Sequence, residues 1–392
     1  MHSTLTESLD ILLPNLEPTL VTPDAALGLK ALAGNLAPIL RGGFECRLDE
    51  NSPQVDLQQC VVRDEGELLL LREFIAAISD AQESAPPGWL QLENFLAEWS
   101  DPLSPLHNSI PEIWLEFDIN NSYPVNLVTC KSGNTLPLVR RGLGGTNYPD
   151  LISSVLPLPA IFFGLPQEVS PAVENYGIAT KSLDLLLGRS NWCEWQENLY
   201  RCFAACPHGV FVSHIGVMLS RNTPALRVNV KRLQPNSLIP YLQQIGWETE
   251  TDELQLLMKQ LFALVDRITV CLDVGNKIYP QIGLECIFHN QPDSESRWAV
   301  FLDYLVELRL CEAQKRDALL HWVGLTNPIN SPYPWPNNLI ADSLLQSREN
   351  FTVFERRLSH IKISWGLERP LLAKAYLWFQ HQWLSGKSSN EC

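Results

Sequence analysis

At 392 residues the chain is long enough for one large domain or two ordinary ones, and 45% apolar content with 9% aromatics suits a sizeable core. A disordered chain is excluded on that composition. The formal charge of −15 works against a nucleic-acid interface, which needs a basic face, yet leaves room for a cationic interior that holds an anionic small molecule. No run approaches the roughly 20 apolar residues that span a bilayer. The opening stretch MHSTLTESLDILLPNLEP lacks a basic start and carries acids among its apolar residues, unlike a signal peptide, so a cytoplasmic protein without a membrane partner is expected. The ten cysteines are then reduced rather than a disulfide framework. Cys202, Cys206, His208 and His214 lie close in sequence, but their spacing fits no common zinc pattern and no metal site is assigned. Cys46, Cys271 and Cys286 sit among strand residues and read as small hydrophobes.

In chain order, the segments FECRLD and QVDLQQCV make a weakly patterned hairpin after N-terminal helical sequence, and the helix EGELLLLREFIAAI follows. PEIWLEFDI alternates most sharply of all, with Ile113, Leu115, Phe117 and Ile119 opposing Glu112, Trp114, Glu116 and Asp118. A Gly-rich insertion over 120–157 separates it from its expected partner PAIFFG, and the helix ENLYRCF comes next. VFVSHIGVML and ALRVNVKRL form a third hairpin across the turn residues Arg221 to Pro224. Two helical segments follow, SLIPYLQQIGW and DELQLLMKQLFALV, with Pro240 compatible only with an early helical turn. ITVCLDVG and YPQIGLECIF repeat the hairpin, and a stripe of Trp298, Phe301, Leu302, Leu305 and Leu308 marks its helix. EAQKRDALLHWVG supplies a partner helix that stops at Gly324. Past the Pro-rich loop NPINSPYPWPNN, a fifth hairpin reads SHIKISW, LERP, LLAKAYLWF.

Five strand–strand units trailed by helices are diverged supersecondary repeats, an α+β arrangement expected to form one domain over 1–392. Residues 1–110 hold the N-terminal helices and the first hairpin, and 111–392 hold the remaining repeats. Tight turns make the strands antiparallel, and helices must cover their apolar face. A sheet of about ten strands tends to curl, and closure removes its edges. The expected product is an antiparallel barrel ringed by helices around a polar lumen. An open α+β sheet with one solvated face, or two sheets in separate domains, is the alternative.

Alternation assigns Glu45, Arg47, Asp49 and Asp56 to the inner face of the first hairpin, and Glu112, Trp114, Glu116 and Asp118 to that of the second. The third gives His214, Arg227, Asn229 and Lys231. Thr269, Asp273, Gln281 and Glu285 come from the fourth, and His360, Lys362, Lys374, Tyr376 and Trp378 from the fifth. Taken singly, each is an ordinary residue of a solvated sheet face. Together, aromatic and cationic groups on one face suit an apolar ligand with an anionic head. Arg and Lys neutralise phosphate oxygens while Tyr donates to them, and Glu116 could accept a proton or steady a developing cation.

The repeated units, with Lys, Arg and Tyr on inner strand positions, resemble the ABBA aromatic prenyltransferases, whose fold is the PT-barrel. Arg227 and Lys231 in RVNVKRL, Lys362 in HIKISW, and Lys374 and Tyr376 in AKAYLWF carry the resemblance, and Glu116 in EIWLEFD is similar to that family's acceptor-binding glutamate. The resemblance implies a diphosphate held by those basic and tyrosine residues, beside an aromatic or peptide acceptor in a chamber lined by Trp114 and Trp378. His214 and Asn229 join the substrate-binding set by their place on the same strands. It implies natural-product chemistry and no fixed cofactor, since the family's metal need varies and magnesium would enter with the prenyl diphosphate. The long insertion, Asp273 and Glu285, and the poorly patterned first hairpin depart from the pattern. The expected function is isoprenoid transfer from an allylic diphosphate. The alternative is a non-catalytic barrel that binds a peptide or small molecule for a biosynthetic partner. VRRGLGGTNY, with Arg140, Arg141, Gly142, Gly144 and Gly145, lacks Walker and Rossmann spacing and reads as a loop over the barrel mouth.

Overall fold

The computed structural model describes residues 4–39, 41–49, 54–63, 66–80, 87–119, 156–166, 172–221, 223–249, 251–346, 350–366 and 369–385. Eleven strands run in chain order as β1 (Arg41–Arg47), β2 (Val55–Val62), β3 (Glu112–Phe117), β4 (Ala160–Gly164), β5 (Phe211–Met218) and β6 (Ala225–Lys231), then β7 (Arg267–Gly275), β8 (Ile278–Ile287), β9 (Gly324–Thr326), β10 (Asn350–Gly366) and β11 (Arg369–Ser385). Neighbours in sequence pair antiparallel from β1 to β8, β8 pairs with β10, β10 with β11, and β11 returns to β1. The result is a closed ten-strand antiparallel barrel, with β9 added outside it on β10. Closure of one sheet settles the choice against an open sheet or two separate ones.

The alternation explains which face went where. Ile113, Leu115 and Phe117 on β3 are buried beneath helices, as are Leu226, Val228 and Val230 on β6. Trp99 of the helix Pro87–Ser100 donates its indole N–H to the Ile110 carbonyl at 2.9 Å, and Phe95 of that helix packs on Phe163 of β4. Trp298 donates to the Asn290 carbonyl at 2.9 Å, and Trp322 to the Arg357 carbonyl at 3.0 Å. These indoles are fully buried, so each supplies a large apolar area while its one polar atom is satisfied. The seam between β1 and β11 is packed in the same way: Phe44 meets Phe379 at 5.3 Å and the edge of Trp322 at 6.0 Å.

Several features escaped the sequence patterns. Helices Pro87–Ser100, Ala172–Leu187 and Asn337–Gln346 were not read, nor was the three-residue β9. Pro240 lies in the second turn of the helix Pro235–Gln244 rather than its first, on an exposed side of the helix. The last hairpin is far longer than SHIKISW and LLAKAYLWF, with 17 residues in each strand. A bulge between Leu358 and His360 explains the shortfall. The extra residue swaps the faces of β10, so inward parity before it (Glu355, Arg357) and after it (His360, Lys362) cannot be read as one alternation. The 120–155 part of the expected insertion lies outside the described residues, as do Arg140, Arg141, Gly142, Gly144 and Gly145. Among the described residues no helix is long and apolar enough to cross a membrane.

If the β1–β11 seam holds the barrel shut, Phe44→Ala should destabilise the protein by about 3–5 kcal/mol, since it opens a cavity against two aromatic rings. Urea unfolding followed by tryptophan fluorescence reads this as a lowered midpoint. A loss under about 1 kcal/mol would show that the seam collapses freely and contributes little.

Candidate functional site

Five inward residues lie side by side across the barrel wall: Thr269 opposite Glu285, Glu285 opposite Lys362, Lys362 opposite Lys374, and Lys374 opposite Arg47. A second row joins His360, Tyr376, Glu45 and Asp56. A third carries Trp114, Phe162, Gly216, Arg227 and Asp273 across β3 to β7. The fourth runs Trp378, Gly43, Gln58, Glu116. Two glycines make room for side chains of these rows. A Cβ at Gly283 would stand 2.6 Å from Lys362 Cε, and one at Gly216 would stand 2.4 Å from the Phe162 ring. Lys362 therefore lies across Gly283, and Phe162 across Gly216.

The cations expected on the third and fifth hairpins meet the carboxylates of the first and fourth. Arg227 Nε donates to Asp273 Oδ1 at 2.7 Å, Lys362 Nζ to Glu285 Oε1 at 3.4 Å, and Lys374 Nζ to Glu45. Tyr376 stacks on His360 with ring centroids 4.2 Å apart and hydrogen-bonds Glu45. His214 Nε2 stands 3.5 Å from Glu112 Oε1. Trp378 is covered by the Arg357 guanidinium at 5.4 Å. Glu116 accepts from Gln58 Nε2 at 3.0 Å, and Arg221 reaches Glu116 at 3.6 Å while gripping Asp118. Glu116, Trp114, His214, Arg227, Asn229, Lys231, Lys362, Lys374, Tyr376 and Trp378 thus occupy inward strand positions.

Other residues of the lumen had not been singled out. Gln58 sits two residues from Asp56 on a strand whose weak pattern hid it. Arg221 reads as a turn residue but folds back onto two carboxylates. Arg267 begins β7 one residue before the apolar run that marked the strand. Cys271 is not only a small hydrophobe, since its thiol donates to Glu285 at 3.0 Å. Asp49 lies beyond the end of β1, where its carbonyl accepts from Lys315 at 2.7 Å. Cys202 sits in the outer helix Gln196–Ala204 and Cys206 just past its end, while His214 faces the lumen, so these zinc-like residues do not share a face. Among the described residues no group of three or more His, Cys, Asp or Glu is placed to hold a metal ion.

Electrostatics divides the lumen. Burial, helped by the charge on Glu45, pushes the Glu116 carboxyl up to about 7 and Asp56 to about 6. Glu285 goes the other way, to about 2, because Lys362 and His360 outweigh its burial. Burial brings His360 down to about 4, so it is neutral at physiological pH. Lys231 is lowered by burial and by the nearby Arg267. Arg47 Nε, Asn229 Oδ1, Arg267 Nε, Thr269 Oγ1 and His360 Nε2 are buried atoms without a hydrogen-bond partner. Orphaned polar atoms in a polar lumen call for water or a ligand.

No protein-family model and no curated protein matches the sequence. Solved structures do match. The 6-dimethylallyltryptophan synthase of Micromonospora olivasterospora, crystallised with DMASPP and Trp, superposes with a TM-score of 0.51 at 10% identity, over 96% of this chain and 97% of that one. The 5-dimethylallyltryptophan synthase of Streptomyces coelicolor gives 0.50 at 11% identity, over 100% of both chains. At such identity the likeness establishes the fold alone, and it is the PT-barrel.

A carboxyl raised by the fold binds its proton more tightly folded than unfolded, so its contribution is fully present below the unfolded pKa and lost as pH rises through the folded one. Glu116 titrates near 4.5 unfolded and about 7 folded, so it destabilises the barrel progressively over that window. Glu116→Gln keeps an oxygen for Gln58 and removes the titration. The variant should match the wild type near pH 4 and exceed it by on the order of 1–3 kcal/mol at pH 8. A stability difference that stays flat across this range, measured by urea unfolding, would remove the case for a proton-holding Glu116.

Proposed function

We propose that the chain transfers an isoprenoid from an allylic diphosphate to an electron-rich aromatic ring, free or within a peptide, inside the barrel lumen. The observation that carries this reading is Glu116. It is a buried carboxyl held near neutrality by its surroundings, hydrogen-bonded to Gln58, in a lumen whose other strands present Arg227, Lys231, Lys362, Lys374 and Tyr376. In the proposed step the allylic C–O bond breaks and its electron pair leaves with the diphosphate, whose charge the cationic side chains balance. The allylic cation is held against the faces of Trp114, Tyr376 and Trp378. A ring carbon of the acceptor supplies the electrons of the new C–C bond, and the proton lost from the ring or its heteroatom passes to ionised Glu116. A carboxyl with a pKa near 7 suits both halves of that proton transfer. His214 and Asn229 complete the binding wall on β5 and β6. The fold it shares with the dimethylallyltryptophan synthases supports this reading without fixing the acceptor or the chain length.

A second reading is favoured by the ion pairs. Arg227 with Asp273, Lys362 with Glu285, and Lys374 with Glu45 are mutually neutralised, as suits a non-catalytic barrel that binds a ligand of low net charge. Calorimetry with dimethylallyl diphosphate and geranyl diphosphate, with and without magnesium, separates the two. The transferase reading expects binding at micromolar to millimolar concentration, and prenylated product when tryptophan, tyrosine or indole is added. Glu116→Gln should then bind diphosphate within about threefold of the wild type and transfer about 10²–10⁴ times more slowly. No binding at millimolar concentration under either condition rejects the transferase and leaves the binding barrel.

A further inference from the structure

Arg356 of β10 is a buried cation that the lumen does not account for. It lies on the outer side of the barrel wall, with the parity of Phe354 and Leu358, between Phe379 of β11 and Gly324 of β9. The residue is only 8% exposed. Among the described residues it nevertheless forms no ion pair, and its buried Nε has no hydrogen-bond partner. Burial, with no carboxylate to oppose it, draws the guanidinium down to about 10. Its neighbour is the ring of Trp322, 5.4 Å away, at the end of the helix Ala313–Trp322. A ring face attracts the charge, but it does not replace the two oxygens that the planar fork of N–H groups matches. Gly324 supplies the second observation. Its φ of 149° is one that a side chain rarely tolerates. A Cβ there would stand 3.2 Å from Arg356 Nη2 and, chain neighbours aside, within 4 Å of no other heavy atom. The strand beside Arg356 therefore carries a notch, open except for the guanidinium at its edge.

We propose that the notch formed by Arg356, Gly324 and Trp322 binds a carboxylate carried on an apolar body, outside the lumen and apart from the transfer chemistry. A carboxylate meets the guanidinium fork through two parallel hydrogen bonds and supplies the countercharge that the fold leaves out. The paired segments Gly324–Thr326 and Phe354–Arg356 present one outward cation, which suits a monoanion rather than a phosphate or diphosphate. The formal charge of −15 on the chain further opposes a polyanion. Leu325, half-exposed next to Gly324, offers apolar surface to the body of the ligand. The site also backs onto the contact that shuts the barrel, because Trp322 packs against Phe44 at 6.0 Å on the β1–β11 seam. Binding there neutralises a buried charge beside that seam, so it stabilises the folded chain.

The probe is 4-phenylbutyrate, with its uncharged amide as the control, titrated calorimetrically and by thermal melting into the full chain. The acid should bind the wild type at millimolar concentration or below and raise its melting temperature, and the amide should do neither. Arg356→Met should weaken the acid by about ten- to a hundredfold, with Arg356→Lys between the two. Gly324→Ala, which fills the notch, should also weaken it, and the surface variant Arg189→Gln should stay within about threefold of wild type. Ligand-free Arg356→Met should melt no lower than wild type, because it removes a buried charge without a partner, so loss of binding there is not loss of folding. Acetyl-Leu-Glu-Leu-amide, run in parallel, separates the two sources of the carboxylate: tighter binding than the acid assigns it to a peptide side chain, weaker binding to a free organic acid, and both keep the site. Binding that survives Arg356→Met and falls with Lys231→Ala lies in the lumen and overturns the inference. So does a wild type that ignores both probes at ten-millimolar concentration, or a ligand-free Arg356→Met that melts well below wild type, which makes the arginine a packing post for Trp322. None of these readouts involves prenyl transfer, so the transferase reading stands or falls separately.

Discussion

Closure of the sheet through β11 is the constraint on which the rest depends. Once β11 pairs with both β10 and β1, every second residue of ten strands faces a single enclosed lumen. A polar residue that would sit in water on an open sheet is then surrounded by the polar residues of all the other strands. Glu45 illustrates the consequence: its neighbours include Lys374 and Tyr376 on β11, Asp56 on β2 and Lys362 on β10. Desolvation in such a space is costly for any lone charge, and the lumen answers in two ways. Where opposite charges fall within reach they pair, as in Arg227–Asp273. Where carboxylates crowd, as with Glu116 and Asp56 beside Glu45, burial holds a proton on them closer to neutral pH.

This balance is in tension with function. Buried ion pairs contribute little net stability, because the attraction roughly offsets the desolvation of both partners. Their use is to fix side chains in place, and their cost under the transferase reading is that fixed cations are less available to a substrate. Lys231 and Arg267 form no ion pair among the described residues, and burial together with the Arg267 charge lowers Lys231 against the pull of Glu285 and Glu112.

The fold was legible because period-two alternation survives even when repeats diverge. PEIWLEFDI and ALRVNVKRL each declare one apolar and one charged face, and those faces are the helix-facing and lumen-facing sides of the barrel. Legibility failed where that signal was absent. The helix Ala172–Leu187 carries only a modest apolar stripe, and the first part of β10 changes parity at its bulge. Within the lumen, residue type and face were readable, but partnership was not. Nothing in the sequence sets Lys374 against Glu45, 329 positions away, or leaves Arg267 without a carboxylate. Pairing is decided by strand register and by which positions lack a side chain, as Gly283 does beneath Lys362. Alternation therefore identified Arg227, Lys231, Lys362 and Lys374 as lumen cations, missed Arg221 and Arg267 at strand ends, and could not tell which were neutralised.

The barrel order makes the remaining asymmetry directional. Counting around the ten strands, β2 and β7 are five apart and stand on opposite walls. The wall around β2 carries Glu45, Asp56, Glu116 and Asp118, of which Glu45 and Asp118 are paired with Lys374 and Arg221, while the wall around β7 carries Lys231 and Arg267 beside Asp273 and Glu285, which are paired with Arg227 and Lys362. With those pairs set aside, the β2 side keeps the raised carboxyls of Glu116 and Asp56 and the β7 side keeps Lys231 and Arg267, so one lumen holds two different electrostatic environments.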